Sequence, residues 1–147
     1  MTNSYQDFHT KIIHAWIEKC KQEVPFSYYL LESNQNTSTE ALLNSEDEDL
    51  FDEPDALYCK RLTKLKAAPL NSESRELGQW LITQAVAKYA HIVPLIPRDL
   101  FWYFGGDCMH YLVDDEINAF QRLDERFHEQ SSETSYAQLR SQQLGLH

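Results

Sequence analysis

Glycine is scarce in this chain, with four residues in 147, and proline contributes only five more. Sandwiches and barrels of short strands need a turn every ~8–12 residues, usually built on those two residue types, so the shortage argues against an all-β fold. Long apolar runs are missing as well. None approaches the ~18 residues of a membrane-spanning helix. The first residues, Met1 to Asp7, lack the basic start and the apolar core of a secretion signal. Cysteine is rare and odd in number: Cys20, Cys59 and Cys108 are widely spaced. That usage fits reduced thiols in a cytoplasmic protein better than a disulfide framework.

Basic residues are absent from one long window. No Lys or Arg lies between Lys21 and Lys60, while ten acids do: Glu23, Glu32, Glu40, Glu46, Asp47, Glu48, Asp49, Asp52, Glu53 and Asp55. The rest of the chain carries 13 acids against 13 bases, so the net charge of −10 belongs to a single segment. Phosphate contacts need clustered Lys and Arg, so direct nucleic-acid binding is disfavoured.

What the chain does contain is apolar material, 42% of residues, with 12% aromatic, enough for one folded domain over residues 1–147. Asn3 with Gln6 resembles a helix capping box. Behind it Tyr5, Phe8, Ile12, Ile13, Trp16, Ile17 and Cys20 recur at three- and four-residue steps, the stripe of an amphipathic helix that ends near Val24-Pro25. Phe26 to Leu31 reads as a helical turn or two. Pro54 opens the next helix, whose face carries Leu57, Tyr58, Leu62 and Leu65 and whose surface holds Lys60, Arg61, Lys64 and Lys66. Asn71 or Ser72 caps a third, with a core face of Leu77, Trp80, Leu81, Ala85 and Tyr89. Gly78 within it marks the close approach of a neighbour.

Val93 to Pro97 reads as a stiff extended link into the four aromatics Phe101 to Phe104 and the break at Gly105-Gly106. Asp114 then caps a helix bearing Ile117, Phe120, Leu123 and Phe127. A weak last helix covers Thr134 to Gln142. The expected fold is all-α, a single-domain bundle of about five helices with a long acidic loop. Its core is drawn from Phe8, Ile12, Trp16, Leu62, Trp80, Leu81, Phe101, Phe104, Phe120 and Leu123. Residues 33–54, Asn/Ser/Thr-rich and then strongly acidic, are expected to form a mobile loop, since such composition buries too little to offset chain entropy.

Two stretches carry candidate chemistry. Asp107, Cys108 and His110, with Asp114 close behind, have the atom types of a transition-metal site, and Cys108 with His110 those of a nucleophile and base. Zinc sites usually offer a second Cys/His pair, which is absent, and Glu125-x-x-His128 has no second copy to complete a di-metal site. The structural reading has Gly105-Gly106 ending a short helix, Asp107 bonding turn amides and Cys108 buried as a small hydrophobe. Gly105-Gly106-Asp107 shares three letters with the diguanylate cyclase signature, but Met109-His110 replaces its continuation and the flanks read as helix. No metal and no cofactor is assigned.

The second stretch is the acidic segment. Leu42, Leu43, Leu50 and Phe51 within the field of Glu46, Asp47, Glu48 and Asp49 have the form of short anchors that fold onto a basic partner protein. The reading is therefore a non-enzymatic interaction or regulatory module that binds a basic partner through this segment. The alternative is a small metal-binding or thiol-dependent enzyme using Asp107, Cys108 and His110.

Overall fold

The computed structural model describes residues 4–31, 43, 53–129 and 134–144. Asn3 and nearly all of the acidic segment, including Leu42, Glu46, Asp47, Glu48, Asp49, Leu50 and Phe51, lie outside the described residues.

The helical periodicity of the N-terminal stretch becomes α1, Ser4–Lys21, with Ile13, Trp16, Ile17 and Cys20 buried along one face. His9 is buried on the same face, four residues after Tyr5 and four before Ile13. The Val24–Pro25 peptide is cis. A single turn, α2, Ser27–Leu30, follows. Pro54 sits in the first turn of α3, Pro54–Ala67, where its missing N–H leaves no helical bond unmade. Asn71 caps α4, Ser72–Lys88: its side chain accepts from the Ser74 N–H, and the Ser74 hydroxyl accepts from the Asn71 N–H. The expected face of α4 turns inward at Leu81, Ala85 and Tyr89, with Leu77 and Trp80 on the core's margin, and the buried surface extends further to Ser74, Gly78 and Ile82. Trp80 flanks that face, half-buried beneath the Arg61 guanidinium at 4.1 Å. The extension to Gly78 brings in a neighbour, because the Phe104 ring lies where a side chain would stand.

Val93 to Leu95 is not an extended link. Ala90–Leu95 forms a 3-10 helix with Pro94 inside, tied by Ile92 N–H to Tyr89 O and Ile96 N–H to Val93 O. The fixed φ of proline suits this helix, and the backbone here is extended only at Ile96 and Pro97. Then come α5, Arg98–Phe104, a second 3-10 helix, Gly106–Tyr111, α6, Asp114–Glu129, and α7, Tyr136–Leu144. Asp114 begins α6, and the reach back to the preceding residue comes from Glu116, which accepts from the Val113 N–H. The described residues contain no strand, so the fold is all-α. The helix count exceeds about five because one-turn and two-turn pieces, too short to form alone, are held by packing.

α1 packs on α2, α3, α5, α7 and the first 3-10 helix, while α4 packs on α3, α5 and both 3-10 helices. The main core lies between them. Trp16, Leu62, Leu81, Phe101, Phe104 and Phe120 of the expected core are buried in it, and Ile12 and Trp80 pack on its margin. Leu43 is buried there too, and the Lys60 ammonium donates to its carbonyl. A second cluster joins the start of α1 to α6 and α7 through Leu123, Tyr136 and Leu139, with Tyr5, Phe8 and Phe127 against them.

Candidate functional site

The aromatic run ends where Gly105 takes φ +67°, ψ −150°, a backbone region effectively open to glycine alone. Gln79 fixes this turn from α4. Its side-chain amide donates to Phe104 O at 2.7 Å, and a Cβ on Gly106 would stand 2.8 Å from the same amide. Beyond the turn the polar residues diverge. Cys108 is fully buried, its thiol directed at the Gln79 carbonyl at 3.7 Å, and burial pushes its pKa up to about 11. Asp107, His110 and Asp114 are exposed. The thiol and the two groups that would activate it or share a metal with it therefore face opposite ways. Cys20 and Cys59 are buried as well, and burial raises Cys20 to about 12 and Cys59 further. Glu125 and His128 lie exposed on α6. Among the described residues, no three His, Cys, Asp or Glu side chains converge as a metal site.

The described margins of the acidic segment are anchored. The Tyr29 hydroxyl donates to the Glu53 carboxylate, which lifts the phenol to about 12. The Tyr89 hydroxyl donates to Asp55 Oδ1 at 2.6 Å, and burial together with that carboxylate raises its pKa as well. Of the four apolar anchors expected in the segment, Leu43 faces inward. Tyr28, exposed at 62%, stands on the surface four residues before Glu32.

Two features of the site region left little trace in the sequence. The first is a cavity of about 300 Å³ bounded by α5, α6 and α7. Two ion pairs line it. Arg98 binds Glu116 through Nε and Nη2 at 2.8 and 2.7 Å, and Arg140 binds Asp99 through Nε and Nη2 at 2.6 and 2.8 Å. The Arg98 guanidinium also rests on the Phe101 ring, and the Arg140 guanidinium on the Phe8 ring. Pro97, Ala119, Phe120 and Leu144 supply the apolar floor.

The second is an aromatic chamber around His9. Its imidazole stacks on Tyr103 with centroids 4.3 Å apart, and Tyr5, Phe8 and Tyr136 close the other sides. Nδ1 meets the Tyr5 carbonyl at 2.7 Å, whereas Nε2 has no partner among the described residues. Burial drives the imidazole pKa down to about 4, so His9 is neutral near pH 7. Beside it Asp124 accepts from Trp102 Nε1 at 2.8 Å and from the Tyr5 hydroxyl, with burial raising its carboxyl. The four-residue spacing Tyr5, His9, Ile13 is the signal that places His9 inward.

No helix among the described residues is long and apolar enough to cross a membrane. No curated protein and no solved structure matches the chain. A family pattern does, over residues 1–146, which is nearly the whole length. The chain belongs to the PA2817-like family.

Proposed function

We propose that this protein is a non-catalytic interaction module whose acidic segment, residues 33–54, binds a basic partner protein. The observation that carries the reading is the charge distribution: all ten units of excess negative charge lie between Lys21 and Lys60, and the remainder is balanced. A charge field confined to one segment accelerates encounter with a basic surface without imposing self-repulsion on the fold. Tyr28 next to the segment adds an exposed aromatic of the type that dominates interface energetics. Leu43 is drawn into the core, so the anchors proposed for the partner are Leu42, Leu50 and Phe51. A thiol-dependent enzyme is disfavoured by the burial of all three cysteines and by the divergence of Asp107 and His110 from Cys108.

The test compares the intact chain with a variant carrying Glu46→Gln, Asp47→Asn, Glu48→Gln and Asp49→Asn, each used to capture proteins from native lysate. The intact chain should retain a basic protein whose association slows as salt rises past ~0.1 M, where exposed charges are screened over ~10 Å. The neutralised variant should lose it while melting at the same temperature. Equal capture by both chains would make the segment a solubilising linker. Replacing Leu50 and Phe51 by Ala should leave association fast and shorten the lifetime of the complex.

A further inference from the structure

We infer that the cavity between α5, α6 and α7 is a binding site for a small organic carboxylate with an apolar body, independent of the acidic segment. Its volume, about 300 Å³, stands at the lower end of the range in which proteins enclose small molecules. The ligand class follows from which hydrogen-bonding groups are spent and which are not.

Both carboxylates in the wall are committed. Each oxygen of Asp99 accepts from Arg140, and each oxygen of Glu116 accepts from Arg98, with the Val113 N–H added on Oε1. The guanidiniums are not exhausted. Arg98 uses Nε and Nη2, the latter also on Tyr111 O, and Arg140 uses Nε and Nη2. The Nη1 group of each has no hydrogen-bond partner among the described residues, although a guanidinium offers five donors. The unspent donors of the cavity are therefore cationic, whereas each carboxylate oxygen already faces an arginine. A ligand acceptor placed there gains charge-assisted bonds without breaking either ion pair.

Charge balance narrows the class further. Two arginines and two carboxylates leave the lining neutral, so one negative charge is accommodated, whereas a polyanion would concentrate repulsion in a partly desolvated site. Pro97, Ala119, Phe120 and Leu144 beneath the arginines ask for hydrocarbon in the rest of the molecule. An ammonium would stand as a third cation beside two guanidiniums, sharing carboxylate oxygens that already hold an arginine.

The experiment is an NMR titration of the full chain, following backbone amides, with hexanoate, hexylamine, 1-hexanol and inorganic phosphate as separate probes. Hexanoate should shift amides of Arg98–Phe104, of the first half of α6 and of α7 in a saturable manner. 1-Hexanol should bind about tenfold more weakly, having lost the charge-assisted bonds. Hexylamine and phosphate should leave these amides in place. Arg98→Gln should weaken hexanoate by about tenfold, and Ala119→Leu, which fills the floor without touching either ion pair, should abolish the response. Absence of a hexanoate response overturns the inference. So does an equal response to hexylamine or phosphate, or undiminished binding by a folded Ala119→Leu variant.

Discussion

Arg140 grips Asp99 with two hydrogen bonds, 2.6 Å from Nε to Oδ2 and 2.8 Å from Nη2 to Oδ1, joining α7 to the first turn of α5 across 41 residues. The Asp99 side chain is 5% exposed and that of Arg140 19%. Arg140→Ala strands a buried carboxylate, and breaking such a pair from one side costs about 3–5 kcal/mol. Asp99→Asn combined with Arg140→Gln should recover most of that loss, because the orphaned charge is gone. Urea unfolding of the two single variants and the double variant measures the coupling.

Gly78→Ala should destabilise the fold although alanine is the better helix former by about 1 kcal/mol. A Cβ at position 78 would stand 2.3 Å from Phe104 Cε1, well inside contact distance. Overpacking of this kind costs about 1–3 kcal/mol, so the net loss remains unfavourable. Adding Phe104→Leu should restore part of it. An increase in melting temperature for Gly78→Ala alone would show that the ring moves aside freely.

Stability should fall with acidification because of His9. Its folded pKa, about 4, lies below the ordinary imidazole value of 6.5, so the unfolded chain binds the proton more tightly across that interval. The contribution is complete above pH 6.5 and is lost as pH falls toward 4, reaching about 3 kcal/mol at most by linkage. Asp99 and Arg140 act on the ring through their charges with opposite signs. Asp124, whose carboxyl is raised by burial, contributes in the opposite sense, its share growing as pH falls toward the ordinary carboxylate range. Subtracting the profile of His9→Phe, which keeps the stacking and removes the titration, isolates the imidazole. Parallel profiles for the two proteins would refute the assignment.

Thiol labelling gives a fourth check. Cys20, Cys59 and Cys108 are buried, and burial raises the pKa of each thiol, so the thiolate that reacts is scarce and shielded. A chromogenic disulfide reagent at neutral pH should modify the native protein only slowly and all three thiols after denaturation. Fast stoichiometric reaction of one thiol in the native state would reopen the thiol-enzyme reading.

The helices were legible where one face had to be apolar. Trp16, Leu62, Leu81 and Phe120 follow from period alone, as do the proline start of α3 and the Asn71 cap, since these signals act over a few residues. Gly78 was legible as a close approach, but not its partner, Phe104. The 3-10 helix around Pro94 was misread because two prolines suit extended backbone and tight helix equally well. Cys108 was legible only as one of two alternatives, since sequence proximity to Asp107 and His110 says nothing about which side of a short helix each takes. The Asp99–Arg140 pair had no local sign at all. Arg140 lies in a weakly patterned helix, and only tertiary packing brings it to α5.

The bond from the Tyr136 N–H to Ser4 Oγ, 3.3 Å long, spans 132 residues. During translation, the partners of Tyr5 and Phe8 on α7 therefore leave the ribosome long after them. Until then the opening turns of α1 have exposed aromatic rings, and Asp99 lacks the cation that lets it enter the interior. A growing chain can settle the helices between early but must hold α1 unfinished until α7 arrives. The interval between them is when a nascent polypeptide of this kind most needs shelter from aggregation.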